Sequence, residues 1–373
     1  MIKFPNSLTA IKTKTLPLAG MTIPELTLFL ENLPDGEKIP PYRAKQIFSW
    51  IARGALSFDD MTNLPAELKK TLSRHAGIRL STVRETLKDR DGTVKLILDL
   101  PDGSSVETVL LEAGTGRFTA CLSSQAGCPM GCVFCKTGAL GFSRNLEAPE
   151  IVEQFLFLSD HAAGEPGARG ETRRISNVVV MGMGEPLLNL PALRKALAVL
   201  CGKEGFCLSR RKITVSTSGV CEGILDMAEN GPEAELAVSV PSARDDLRRR
   251  LMPGIAGHPL PALKKALARY QELRKRQVTI ETVLLGGINT GPEDARALLD
   301  FTENLDAVIN LIPWNPAAGL RFEGKKLRQS APGEAAAFAR LLEQGGRAVT
   351  RRLRRGRGVA GACGQLGPPP PPP

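Results

Sequence analysis

The chain has 373 residues, with 49 Lys and Arg against 39 Asp and Glu, eight Cys and only three His. That length holds one large catalytic domain and a smaller one, and no apolar run approaches the roughly 18–20 residues that span a bilayer. The N-terminal Met1-Ile-Lys-Phe-Pro-Asn6 lacks the apolar core of a secretion signal, so the expectation is a cytoplasmic protein without a membrane partner, whose thiols stay reduced. So few His argue against a His-rich metal site or a His-driven triad, and the chemistry is expected to run on sulfur.

Residues 1–85 read as short helices separated by Pro, a small accessory domain. In Tyr42–Ile51 the apolar positions Ile47, Trp50 and Ile51 fall at helical spacing, with Arg43 and Lys45 off that face. A second helix lies within Phe58–Leu72, with Pro65 near its first turn. Residues 86–117 read as a β-hairpin extension: Val94–Leu98 and Ser105–Leu111 are β-type runs on either side of Pro101-Asp-Gly103.

From residue 118 to 346 β-branched runs alternate with helical stretches. Strands are expected at 119–123, 175–181, 211–216, 235–240, 277–284 and 307–313, and helices near 147–161, 191–201, 221–229, 260–275, 291–303 and 332–344. In the first of these helices Ile151, Val152, Phe155 and Leu156 make a core-facing stripe. Six strand–helix units predict an α/β fold, a partial β/α barrel with a parallel sheet, shorter than the eight-unit barrel. Catalytic groups are then expected at the C-terminal strand ends.

Residues 347–373 form a basic C-terminal segment. The stretch Gln344–Pro373 holds six Arg and no acidic residue, more than half of the net +10. Such a run is a footprint for a polyanion or simply a solvated tail. Cys363 lies just beyond the Arg cluster, which puts a thiol near RNA or DNA. Pro368–Pro373 is expected to be extended polyproline.

The strongest signal is Cys128-Pro-Met-Gly-Cys132-Val-Phe-Cys135, directly after the first barrel strand. Three thiolates on one short loop select zinc or iron–sulfur. A structural zinc site needs four ligands, commonly as two knuckles, and the other Cys form no second CxxC. Three ligands on a four-iron cube leave one iron open for a small molecule.

With Cys121-Leu-Ser-Ser-Gln-Ala-Gly-Cys128, Gly138–Asn145, Met181-Gly-Met-Gly-Glu-Pro186, Ser216-Thr-Ser-Gly219, Leu311–Pro316 and Ala362-Cys-Gly-Gln-Leu366, the chain resembles the RlmN/Cfr RNA methyltransferases of the radical S-adenosylmethionine (SAM) superfamily. The likeness runs from about residue 20 to 367, and Glu185-Pro186 is closer to the adenine-C2 enzymes than to the adenine-C8 enzymes.

The resemblance implies a [4Fe–4S] cluster on Cys128, Cys132 and Cys135, and two SAM molecules per turnover. It implies that Cys363 carries the methyl group, that Cys121 resolves a covalent protein–RNA adduct through a transient disulfide, and that Glu107 is the base that takes the ring proton. A carboxylate in a water-poor pocket suits that task. Gly184, Glu185, Ser216, Ser239, Val240, Pro241 and Asn315 would contact SAM. The implied partners are 23S rRNA at the peptidyl-transferase centre, tRNA as a second substrate, and a reductase/flavodoxin-type electron donor, for a chain acting as a monomer. The N-terminal helices would then bind RNA.

Three segments depart from the family pattern. The usual Ser-Leu-His reads Ser239-Val-Pro241, and Pro has neither a side-chain donor nor a backbone N–H. Gly319–Ser330 is atypical, and Gly358-Val-Ala-Gly-Ala362 lacks the family's acidic residue. The alternatives are an adenine-C8 methyltransferase, a specialised paralogue, and a zinc-stabilised RNA-binding protein without catalysis.

Overall fold

A computed structural model describes residues 15–34, 39–113, 117–164 and 174–367. The N-terminal hexapeptide and Pro368–Pro373 lie outside the described residues.

The N-terminal module holds α1 (Ile23–Glu31), α2 (Tyr42–Ala52) and α3 (Ala66–His75). Glu25 closes the first turn of α1 by accepting from the Thr22 N–H at 2.9 Å, a capping arrangement that satisfies an otherwise orphan donor. In α2, Ala44, Ile47, Phe48 and Ile51 are buried. Trp50, expected on that face, is only half-buried, because its indole N–H donates to Asn63 Oδ1 at 2.7 Å. Phe48 takes the core position and packs edge-on against Phe206, which meets Phe155 in the same way.

Ten strands then form one sheet in simple sequence order: β1 (Thr82–Lys88), β2 (Val94–Asp99), β3 (Ser105–Ala113), β4 (Arg117–Cys121), β5 (Ile175–Val180), β6 (Ile213–Thr217), β7 (Glu235–Ser239), β8 (Val278–Leu284), β9 (Ala307–Pro313) and β10 (Val349–Arg351). Strands β1 to β4 pair antiparallel, and β4 to β10 pair parallel. The hairpin read from the sequence is therefore continuous with the barrel sheet. β1 adds a strand to its outer side, and β10 adds a seventh parallel strand built from the start of the Arg-rich segment.

Helices α4 (Ala148–Gly164), α5 (Leu190–Leu200), α6 (Cys221–Asn230), α7 (Leu260–Arg274), α8 (Pro292–Thr302) and α9 (Pro332–Gln344) occupy the crossovers. The stripe Ile151, Val152, Phe155 and Leu156 is buried as expected. A second, smaller core of Leu247, Leu251, Met252, Ile255, Leu285, Trp314 and Leu327 lies apart from the main one, and Val133 and Phe134 pack on it. Among the described residues no helix is long and apolar enough to cross a membrane.

Candidate active site

The loop with Cys128, Cys132 and Cys135 follows β4 and is held by backbone contacts as well as by the packing of Val133 and Phe134 on the second core. Val133 N–H donates to Leu251 O at 3.0 Å, and Gly254 N–H donates to Met130 O at 2.9 Å. Trp314 of the second core donates its indole N–H to Phe134 O at 2.9 Å. The three thiols line one cavity of about 150 Å³, whose walls also include Gly184, Glu185, Ser216, Ser239, Pro241 and Asn315. Burial pushes the Cys128 thiol up to about 12 and the Cys132 thiol well above its ordinary range. Cys132 is also raised by the neighbouring Cys135 and Cys128. Thiols so placed ionise when a metal centre supplies the compensating charge.

The donor set fits a cluster. Among the described residues no three His, Cys, Asp or Glu groups stand in the arrangement one metal ion needs. A cubane asks for something else, namely separate thiolates on separate irons around a shared space. The cavity walls fit an organic ligand as well. Asn315 donates from Nδ2 to Cys363 O at 3.0 Å, while its Oδ1 is buried with no hydrogen-bond partner. Gly184 has φ +103, and a Cβ there would stand 2.5 Å from the Gln125 side chain, so only glycine brings the chain this close.

Glu185 is buried and accepts from Thr217 Oγ1, Ser218 N and Ser218 Oγ, each at 2.7 Å, and from Leu187 N at 3.0 Å. Burial raises its carboxyl and these donors oppose the rise. An incoming ammonium therefore competes with the Ser218 and Thr217 donors for its lone pairs. Ser216 Oγ donates to Glu281 Oε2 at 3.3 Å. Val240 differs from its neighbours: its N–H donates to Glu281 O at 2.8 Å and its carbonyl accepts from Thr282 Oγ1 at 3.0 Å. Its side chain lies in the core, and it is not among the residues that line the cavity. The Pro241 carbonyl is likewise taken, by Asn289 Nδ2 at 2.6 Å.

A second cavity of about 310 Å³ adjoins the first and contains Cys121, Arg352, Arg354 and Arg355 in its walls. Cys363 lines both cavities, together with Met181, Pro313 and Asn315. Its exposed surface is cavity wall, and the surrounding protein pushes its thiol up to about 11 against the pull of the Arg352 guanidinium. Burial likewise takes Cys121 up to about 12, again opposed by Arg352. The structure thus brings Cys121 and Cys363, 242 residues apart (363 − 121), into one cavity.

Glu107 lies outside both sets of walls. It is buried on β3, where Oε1 accepts from Lys95 Nζ at 2.9 Å and Oε2 accepts from Gly367 N at 2.7 Å. The C-terminal segment lies over it. Two residues that the motifs did not single out are tied to these groups: Arg352, which lines the Cys121 cavity, and Lys95, which pairs with Glu107. A charged side chain amid the apolar run Val94–Leu98 was the available signal for Lys95. Arg352 was hidden among six Arg, yet it reaches Glu281 Oε1 at 3.5 Å and Met181 Sδ at 3.4 Å rather than solvent.

Residues 122–301 match the family model "Radical SAM superfamily" and residues 16–78 match "Ribosomal RNA large subunit methyltransferase N-terminal domain". The "Probable dual-specificity RNA methyltransferase RlmN" of Treponema pallidum is 45% identical over 326 residues, 87% of this chain and 92% of that protein. The protein of the same name from Moorella thermoacetica is 42% identical over 95% of this chain and 98% of its own length. A crystal structure of a radical SAM methyltransferase from Sphaerobacter thermophilus superposes with a TM-score of 0.86 at 36% identity, covering 94% of this chain and 99% of that one. The superfamily binds a [4Fe–4S] cluster and SAM, which is what the thiol-lined cavity is suited to hold. With a relative this similar along nearly its whole length, the chain belongs to the RlmN family of radical SAM RNA methyltransferases.

Proposed function

We propose that the protein methylates C2 of adenine in 23S rRNA at the peptidyl-transferase centre, and in tRNA as a second substrate, through an S-methylated Cys363. The observation that carries this is the place of Cys363 in the wall common to the thiol-lined cavity and the Cys121 cavity. A sulfur there has a methyl source on one side and room for a base and a resolving thiol on the other.

In this reading Cys128, Cys132 and Cys135 hold the cluster, and Gly184, Glu185, Ser216, Ser239 and Asn315 border the SAM molecules. Bound there, the cluster and two SAM per turnover supply a methyl group, an electron and a carbon radical that removes a hydrogen atom. The remaining work belongs to the chain. Cys363 accepts the methyl group as a thiolate. After losing one hydrogen atom, its S-methylene carbon adds to adenine C2, an electron-poor ring carbon that ordinary polar methylation does not reach. Glu107 takes the ring proton as the adduct radical gives up one electron to the reductase/flavodoxin-type donor system, and this requires the Gly367 contact over the carboxylate to open. Cys121 then attacks the Cys363 sulfur. The bond from that sulfur to the methylene carbon breaks, the carbon takes a proton back from Glu107 and becomes the new methyl group, and a Cys121–Cys363 disulfide remains for the donor system to reduce.

Nucleoside mass analysis of rRNA and tRNA from cells with and without the gene tests the reading. It expects 2-methyladenosine that disappears with the gene and with Cys363→Ala. An 8-methyladenosine product, or methylation that survives Cys363→Ala, overturns it.

A further inference from the structure

Cys363 is slung between two anchored stretches of chain. Downstream, Lys136 N–H donates to Gly364 O at 2.8 Å, Thr137 Oγ1 donates to Leu366 O at 2.6 Å and Gln365 Nε2 donates to Pro316 O at 2.7 Å. Upstream, the anchor is the turn between β1 and β2. Asp91 Oδ2 accepts from Gly356 N at 2.9 Å and Asp89 Oδ2 accepts from Gly358 N at 2.8 Å. The other oxygen of each carboxylate serves the turn itself, Asp89 Oδ1 accepting from Arg90 N at 2.7 Å and Asp91 Oδ1 from Thr93 N at 3.0 Å. Each Asp therefore spans from the turn to the tail. The tail's side of the contact is equally specific. A Cβ on Gly358 would stand 2.6 Å from Asp89 Oδ1. Gly361 N–H donates to Gly356 O at 2.8 Å, which closes residues 356–361 into a compact loop on this anchor. Neither Asp lines either of the two cavities that Cys363 borders.

We propose that Asp89 and Asp91 are positioning residues for Cys363: the β1–β2 turn fixes the upstream end of the segment that carries the thiol, and so confines the sulfur to the two cavities it separates. The proposal rests on the reading that Cys363 carries the methyl group. Reach makes the physical case. From the closed loop at Gly361 to Cys363 is two residues, which extend to at most about 7 Å. That is enough to turn from one cavity to its neighbour and too little to leave them. Without the anchor, the nearest upstream tie is Arg352, whose N–H donates to Leu311 O at 3.0 Å. The upstream arm then grows to 363 − 352 = 11 residues, and Cys363 is held only by its downstream ties, Lys136 N–H on Gly364 O and Asn315 Nδ2 on its own carbonyl, about which the sulfur can turn away from either cavity. The effective concentration of the sulfur at either cavity falls accordingly.

The test uses Asp89→Ala/Asp91→Ala and, from the tail's side, Gly358→Ala, which crowds Asp89 Oδ1 and disturbs the Asp89 half of the anchor while leaving the Asp91 contact to Gly356 in place. Hydrogen exchange of the chain without cluster reads the anchor directly, at the Gly356 and Gly358 amides. The double variant is expected to exchange about tenfold faster at both amides, and Gly358→Ala about tenfold faster at position 358, the loss of one hydrogen bond's protection. In the cluster-loaded enzyme with SAM and RNA, 5′-deoxyadenosine released per methyl transferred is expected to rise by about tenfold or more, because a poorly placed sulfur wastes cleavage events. A merely structural contact changes the first measurement and leaves the second alone, and that result overturns the proposal. Unchanged exchange in both variants overturns it as well. Wild-type enzyme that never methylates Cys363 sinks the functional reading, and the proposal with it, by a separate result.

Discussion

Lys95 and Glu107 form an ion pair in which both side chains are almost wholly removed from solvent. Such a pair adds little net stability when intact, but breaking one side strands a charge and costs about 3–5 kcal/mol. Lys95→Met is therefore expected to lower unfolding free energy by about that amount, measured by denaturant titration. Adding Glu107→Leu to that variant should recover a large part of the loss, because no buried charge is then left over. If the double variant is as unstable as the sum of the singles, the two groups are not coupled as the geometry indicates. Asn315 makes a second point at this scale. Its buried Oδ1 has no partner, a costly state that a bound donor relieves. SAM is expected to raise the melting temperature of the wild type, and Asn315→Leu should weaken that effect, with about tenfold lower SAM affinity.

At the level of elements, most of the architecture was legible because period reports burial. The six barrel strands and the crossover helices carry clean apolar periods, and they appear within a few residues of their expected bounds. The two strands of the ten-stranded sheet that the sequence did not disclose are its two edges. β1 is largely exposed and correspondingly polar, and β10 is three residues long within an Arg-rich run. An edge strand buries too little to leave a pattern. The site divides along the same line. The cluster thiols sit together in sequence and were readable, whereas Lys95, Arg352 and the Asp89/Asp91 anchor gain meaning only from residues far along the chain. Glu334 shows what one element end contributes. It caps the start of α9 by accepting from Ala331 N at 3.1 Å, and it ties that helix to the β8–α8 connection through Gly287 N at 2.7 Å and Thr290 Oγ1. Burial works to raise its carboxyl, but these donors and Arg328 outweigh it and hold the group at about 2. A depressed folded value means stability that is complete above the ordinary glutamate range and disappears as pH falls through about 2. Glu334→Gln is expected to cost about 1–2 kcal/mol at neutral pH. Its deficit against wild type should shrink as the medium is acidified from about pH 5 toward pH 2. A deficit independent of pH would show that the cap acts through shape alone.

For the whole molecule the question is where an RNA meets a chain with net charge +10. The Arg-rich segment is not one solvated tail. Arg351 belongs to β10, Arg352 turns inward to Glu281, and Arg354 and Arg355 border the Cys121 cavity. The cations left facing the cavity and its surroundings are thus Arg354 and Arg355, with Arg351 and Arg357 exposed beside them. Binding that neutralises phosphates releases counterions, so affinity falls with a log–log salt slope of about 0.7 per contact for single-stranded RNA. Arg354→Ala/Arg355→Ala is expected to weaken RNA binding and to flatten that slope by about 1.4, two contacts' worth, in titrations from low to moderate salt. Arg352→Gln supplies the contrast. Its guanidinium is engaged by a carboxylate and lies beside two thiols, so its removal should leave the salt slope unchanged while slowing alkylation of Cys121 by a neutral reagent at mildly alkaline pH, since the cation opposing burial at that sulfur is gone. An equal change of slope in both variants would mean that Arg352 reaches the RNA backbone, and that the inward-facing and outward-facing halves of this segment are one surface.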